Sequence, residues 1–286
     1  MADLIQAGNA SEAWLAAMEL MLSRDGKAVN LNVVFPADAD GHEALNGVVD
    51  GFIAEHDVRY QDGNLLLVET VANTIFPQAL YHPHLGDQAA SRLYENYALS
   101  MRVHRRRKND KETYFNRLLA YPVGTGAMGE SEVKLEKDGT WNQLAYYVER
   151  LRKQRETLHR SSSYELGISH PMDAELRVQA PFKDKRMGSF PCLSHISLTL
   201  VDDRVHMSAV YRNQTFITRA LGNYLGLTRL LEFIATETGA APGELQVLAT
   251  HADAETGLGV VAIRDLVKRG RSLIDPGTAQ EAAHVQ

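Results

Sequence analysis

Apolar residues recur at helical spacing over residues 10–24 (ASEAWLAAMELMLSR), with Ser11 as the predicted N-cap. The next segment, 28–35 (AVNLNVVF), alternates as a half-buried strand does. Residues 41–55 read as a helix, and 64–71 (NLLLVETV) as a strand or the start of a buried element. Helical patterning returns over 87–108 and ends in the basic run His104-Arg105-Arg106-Arg107-Lys108. Residues 141–156 form an amphipathic helix with Leu144, Tyr147, Val148 and Leu151 on one face.

The C-terminal half is patterned more sharply. Two alternating runs, 194–201 and 204–211, flank Asp202-Asp203 and predict a tight hairpin. A helix over about 217–237 stops at Thr238-Gly239, a usual C-terminal signal. Residues 244–250 read as a strand, 259–270 as a last helix, and the tail after 276 as frayed. Residues 122–140, rich in Gly and charge, read as a surface loop. The mixture predicts an α/β fold in a single domain spanning 1–286.

Composition narrows the function. The chain has 286 residues, 44% of them hydrophobic, enough for one sizeable core. A formal net charge of −6 argues against nucleic-acid and anionic-membrane partners. It leaves room for a small anionic ligand held by local arginines. Cys192 is the one cysteine, so no intramolecular disulfide forms. The N-terminus shows no basic leader or apolar h-region, and no run reaches 18 apolar residues, so a cytoplasmic protein is expected. Tyr81-His82-Pro83-His84 reads as a polar turn without a third ligand, so no metal site is expected.

Candidate chemistry concentrates between residues 188 and 255. Phe190-Pro191-Cys192 precedes the hairpin, Tyr211-Arg212-Asn213 follows it, Asn223 falls in the apolar helix, and Thr250-His251-Ala252-Asp253 comes after the next strand. Singly, each has an ordinary reading, such as a small buried hydrophobe for a lone Cys. His195 is a poor partner for Cys192, because residues three apart on a strand face opposite sides. Arg212 stands twenty residues after Cys192, and Asn223 eleven after Arg212. With a hairpin between the first pair, this arrangement resembles the core of the thymidylate synthase and deoxycytidylate hydroxymethylase family. Asn142-Gln143-Leu144 is similar to that family's Asp-Gln-Ile segment, and Tyr114-Phe115-Asn116-Arg117 to its tyrosine-containing turn. Glu69 stands where the family carries its catalytic glutamate.

The resemblance implies a three-layer α/β fold with a large mixed sheet flanked by helices, and a homodimer packed sheet to sheet. It implies one-carbon transfer to C5 of a pyrimidine nucleotide, with 5,10-methylenetetrahydrofolate as donor. Cys192 is then the nucleophile, Glu69 the proton relay and Tyr114 a pocket residue. Arg212, Asn213, Asn223, His251 and Asp253 bind the substrate, with Arg212 on phosphate, Asn223 on the base, and His251 and Asp253 on the sugar. These residue types suit the chemistry. A thiolate adding to C6 makes C5 an enolate-like nucleophile. A guanidinium forks a phosphate, a carboxamide offers donor and acceptor to a pyrimidine edge, and a carboxylate moves protons through water. With Asn rather than Asp at 223, the resemblance leans towards a uracil ring.

The chain departs from the family at several positions. Thr215 stands where the family has a folate-orienting Asp, and Asp253 where it has His. Met172 and Asp173 stand where a double arginine is expected, and Arg177, Lys185 and Arg186 lie off that spacing. Several readings stay open: a divergent C5 transferase, another reaction at C5 through the same thiolate addition, or a nucleotide-binding relative without catalysis. From another class comes a dimeric binding module in which Cys192 is inert core.

Overall fold

The computed structural model describes residues 3–37, 43–56, 67–106, 113–122, 135, 139–157, 164–168 and 191–274. The first elements are β1 (Asp3–Gln6), α1 (Ala10–Leu22), β2 (Lys27–Pro36), α2 (Glu43–His56), α3 (Val68–Ile75) and α4 (Ala89–Arg106). Then come α5 (Tyr114–Leu119), β3 (Tyr121–Pro122), β4 (Thr140–Trp141), α6 (Gln143–Thr157) and β5 (Tyr164–Gly167). The rest is β6 (Leu193–Val201), β7 (Arg204–Tyr211), β8 (Gln214–Thr215), α7 (Leu221–Thr238), β9 (Ala241–Asp253) and α8 (Val260–Ile274). The fold is mixed α/β, with a seven-stranded sheet of parallel and antiparallel pairs and helices flanking it. Two compact units divide the chain: residues 1–73, 211–228 and 244–286 make one, and 74–210 and 229–243 the other.

In the first unit β2 is the organising strand. It runs parallel to β1 and antiparallel to β9, in register from Lys27 opposite Asp253 to Pro36 opposite Glu244. Its inward side chains Leu31, Val33 and Phe35 are buried, as the alternation predicted. Helices α1, α2 and α8 meet at Gly270, where a Cβ would stand 2.8 Å from Leu45 and 2.9 Å from Leu15. The α1 cap falls two residues earlier than predicted. Asn9 accepts from the Glu12 amide at 3.0 Å, and Glu12 accepts in return from Asn9 Nδ2 and the Gly8 amide. This reciprocal cap leaves Ser11 buried inside the helix.

Of the two readings of 64–71, a strand or the start of a buried element, the described part follows the second. From Val68 onward the chain is helical, and 64–66 lie outside the described residues. Val68, Val71, Ala72 and Ile75 follow helical spacing and all are buried. Asp50 caps this helix from eighteen residues away, its Oδ1 accepting from the Val68 amide at 2.8 Å.

The second unit holds the predicted hairpin. Asp202 and Asp203 have φ of 49° and 60°, the paired left-handed geometry that suits a two-residue turn to strand twist. β5 runs antiparallel to β6. Phe76, Tyr81, Phe115 and Phe233 form an edge-rich aromatic core with centroids 4.9 to 5.9 Å apart. Leu144, Val148 and Leu151 of α6 are buried, and Tyr147 is half-buried. Gln143 acts as a stand-in strand: its amide donates to Gly167 O at 2.8 Å and accepts from Gly167 N at 2.9 Å. The predicted helix over 87–108 runs as α4, while most of the 122–140 loop and the tail after 276 lie outside the described residues. So do Arg107 and Lys108 of the basic run, Met172, Asp173, Arg177, Lys185, Arg186 and Phe190.

Candidate functional site

Cys192 is half-buried and immediately precedes β6. Tyr114 belongs to the same unit and opens α5, rather than sitting in a turn, because Thr113 caps that helix through the Asn116 amide. Its hydroxyl accepts from the amide of Leu193, the residue after Cys192, at 3.5 Å. His195 faces elsewhere and pairs with Glu165, which also accepts from Ser197 at 2.8 Å.

The other six predicted residues belong to the first unit. β8 runs parallel to β9, with Gln214 opposite Ala252 and Thr215 opposite Asp253. Alternation then puts Asn213, Thr215, His251 and Asp253 on one face of the pair, and the buried Gln214 and Ala252 on the other. The contacts agree, since His251 Nδ1 and Asn213 Oδ1 are 2.7 Å apart. An amide oxygen only accepts, so Nδ1 carries the hydrogen and Nε2 is the ring's remaining acceptor. Arg212 follows β7 with an exposed side chain, and its carbonyl accepts from Thr250 Oγ1 at 2.7 Å.

A five-residue π-helical turn, Phe216–Ala220, leads into α7 and replaces the regular start predicted near 217. Asn223, the third residue of α7, is 4% exposed. Near it in sequence, both amide atoms of Gln214 and the hydroxyls of Tyr224 and Thr228 are buried without a hydrogen-bond partner among the described residues. Buried polar atoms with unspent bonds are uncommon and concentrate at functional sites. Burial also pushes the Tyr224 phenol well above its usual range.

Glu69 lies in the first turn of α3, exposed, and accepts from Asn73 at 3.1 Å. That turn is pressed against the start of α7. A Cβ on Gly222 would stand 2.6 Å from both the Val68 carbonyl oxygen and Val71 Cβ. Only glycine permits this approach, which sets Glu69 and Asn223 each one residue from the contact. Asp50, capping the same turn, has its carboxyl raised by burial, with Glu69 adding repulsion.

A larger concavity lies in the second unit and contains none of the predicted residues. It is a cleft of about 1140 Å³ beside Leu200–Asp203 and Thr236–Gly239. At about 3.3 Å per residue, β6 separates this end from Cys192 by roughly 30 Å. Four of its charged residues, Arg152, Arg155, Asp203 and Glu237, are engaged. Arg152 donates twice to the Glu237 carbonyl at 3.0 and 2.6 Å, Tyr81 donates to the Glu237 carboxylate at 2.9 Å, and Arg155 forks Asp203 at 2.5 and 2.8 Å. Among the described residues, no group of three or more His, Cys, Asp or Glu side chains is placed to hold a metal ion. None of their helices is long and apolar enough to cross a membrane.

No family profile matches the chain. A 115-residue stretch is 26% identical to a Methanococcoides burtonii protein provisionally named thymidylate synthase, covering 40% of this chain and 46% of that one. A Methanosarcina mazei protein with the same provisional name is 24% identical over 115 residues, with the same coverage. One from Methanocaldococcus jannaschii is 25% identical over 130 residues, covering 46% and 49%. The chain spans about half the length of the curated relatives it matches. The crystal structure of thymidylate synthase from T4 phage aligns at a TM-score of 0.34 and 15% identity, over 42% of this chain and 38% of that one. The molecule is a mixed α/β protein in which buried, unpartnered polar groups of Gln214 and Tyr224 neighbour the predicted Asn213 and Asn223 in sequence. Over these stretches it is similar to curated proteins provisionally named thymidylate synthase.

Proposed function

We propose that the protein transfers a one-carbon unit to C5 of a pyrimidine nucleotide. The observation that supports this most is the close approach at Gly222, with the Glu69 carboxylate and the Asn223 carboxamide on the two helix turns it joins. The Cys192 thiolate adds to C6 of the ring, and the electron pair moves to C5 and O4. C5 then attacks an electrophilic one-carbon unit, whose bond to its carrier breaks with the electron pair leaving on the carrier. Loss of the C5 proton and expulsion of the thiolate restore the aromatic ring. Asn223 offers one donor and one acceptor to the base edge, matching O4 and N3–H of uracil. Glu69 moves protons at O4 and C5 through water. Arg212 holds phosphate, Asn213, His251 and Asp253 face the sugar, and Tyr114 lines the pocket beside Cys192.

Methylenetetrahydrofolate is the donor the resemblance implies. Thr215 supplies no carboxylate to orient it, and its hydroxyl lies 3.1 Å from Thr218 Oγ1, so this position does not fit the folate contact that the resemblance implies. A homodimer in the cytoplasm completes the proposal.

Tritium release from 5-tritiated UMP, dUMP, CMP and dCMP, with and without methylenetetrahydrofolate, tests the reaction. Release from a uracil nucleotide is expected. A 5-fluorinated analogue should add covalently to Cys192, seen as a mass increase lost in Cys192→Ser. No release and no adduct would leave the catalytically silent nucleotide-binding relative in its place.

A further inference from the structure

The turn that carries Asn223 is not a self-sufficient piece of helix. A π-helical turn, with its wider i→i+5 ring, is rare and occurs mostly as a single turn, frequently at functional sites. Two side chains hold this one. Trp14 Nε1 donates to the Phe216 carbonyl at 2.8 Å. Glu255 grips Thr218, accepting from its backbone amide at 2.7 Å through Oε2 and from its hydroxyl at 2.9 Å through Oε1 and 3.0 Å through Oε2. A hydroxyl has one hydrogen, and Thr218 commits it to the carboxylate. The 3.1 Å contact between Thr215 and Thr218 is therefore donated by Thr215.

Glu255 is itself held in a costly conformation. Its φ is 55° and its ψ 44°, a left-handed backbone that a side chain other than glycine seldom adopts. Such strain survives only where neighbouring contacts over-determine it. Here the Glu255 amide donates to Asp253 Oδ1 at 2.7 Å, and the Ala254 amide donates to Gly26 O at 2.8 Å. The strained residue thus links the end of β9, bearing His251 and Asp253, to the turn five residues ahead of Asn223.

We infer that Glu255 is a positioning residue for Asn223. Its carboxylate fixes the π-turn and, through it, the height and rotation at which the Asn223 carboxamide meets a pyrimidine edge. This rests on the nucleotide reading above and deepens it, because it assigns base discrimination partly to a residue that touches no base. Without the carboxylate, the Thr218 amide and hydroxyl lose their shared acceptor, and α7 begins with a looser turn. The base-reading amide then samples several heights, and contacts that separate uracil from cytosine blur. Phosphate and sugar contacts, carried by other residues, stay.

Calorimetric titration of UMP, dUMP, CMP and dCMP into wild type, Glu255→Ala, Glu255→Gln, Asn223→Ala and the double variants tests this, with thermal unfolding of each recorded. Glu255→Ala should cut the uracil-to-cytosine affinity ratio by about three- to tenfold, the range of a misplaced hydrogen bond. Glu255→Gln, which keeps one acceptor for the Thr218 amide, should recover part of it while folding normally. In an Asn223→Ala background neither change should move the ratio further, since both act through one group. Equal weakening for all four nucleotides, or effects that add to Asn223→Ala, would overturn the inference alone. A wild-type protein that binds none of the four would overturn the nucleotide reading and this inference together.

Discussion

His251 and Asn213 are joined by a 2.7 Å bond between Nδ1 and Oδ1, so the imidazole is held as its Nδ1–H tautomer with Nε2 as the remaining acceptor. The parallel register of β8 and β9 sets this pairing across 38 residues of chain. Nitrogen-15 spectra of the neutral histidine ring should show that tautomer. Asn213→Ala should abolish the preference and weaken nucleotide binding about three- to tenfold, the worth of one hydrogen bond. An unchanged tautomer in Asn213→Ala would assign the ring's orientation to something else.

Gly222→Ala should destabilise the protein, which is the reverse of the usual trend. In an ordinary helix interior alanine gains about 1 kcal/mol over glycine. Here the added Cβ would stand 2.6 Å from the backbone oxygen of Val68, and backbone cannot swing aside as a side-chain tip can. Overpacking costs about 1–3 kcal/mol, so the clash outweighs the propensity. Because the displaced turn carries Glu69, tritium release should fall further than nucleotide affinity. Equal loss in both would separate Glu69 from the chemistry.

What the chain's pattern reveals differs by element. The 204–211 hairpin strand and the α6 face were legible because burial there follows one period, and Asp202-Asp203 suits its turn. Helix α3 was hidden by Leu65-Leu66-Leu67-Val68, whose continuous apolar run looks like a strand and masks the helical spacing of Val68, Val71, Ala72 and Ile75. Its cap comes from Asp50, too distant for any local signal. The Ser11 cap failed for a smaller reason: Asn9 offers the same chemistry and has Glu12 three residues on. Spacing located Cys192, Arg212 and Asn223 as candidates. It could not locate Glu255, because a left-handed backbone and a π-turn leave no periodic trace. The signal that could have drawn attention to it is an acidic residue just past a strand that ends in His251 and Asp253.

Tyr81→Phe should cost about 1–3 kcal/mol in chemical denaturation, the penalty for a buried group losing its partner. Glu237 is 8% exposed, and the Tyr81 hydroxyl is its 2.9 Å donor within the aromatic core. The change is nearly isosteric, so packing against Phe76 and Phe233 stays. Burial and this bond raise the Tyr81 phenol above its usual range. The folded state then holds the phenolic proton after the unfolded chain has released it. Its contribution is full below about pH 10 and falls as pH rises beyond that. Tyr81→Phe should lack this alkaline component, and identical alkaline profiles would count against the bond.

Asp50→Asn should reshape stability at the acid end. The carboxyl caps α3 through the Val68 amide, yet burial, helped by Glu69, raises its affinity for a proton above the usual carboxylate value. Between the ordinary value near 3.8 and the raised one, the folded state binds more protons than the unfolded chain. This group's contribution is therefore greatest below that window and falls as pH rises through it. Asparagine keeps the Oδ1 acceptor for Val68 and removes the desolvated charge. The variant should match wild type at the low end and exceed it near neutrality, by urea unfolding at steps from about pH 3.5 to 7. Parallel curves across that range would mean the charge is already relieved by solvent, leaving Asp50 as a cap alone. A variant weaker than wild type at neutral pH would mean that α3 depends on the full negative charge at its N-terminus, so that the helix dipole outweighs the cost of burial.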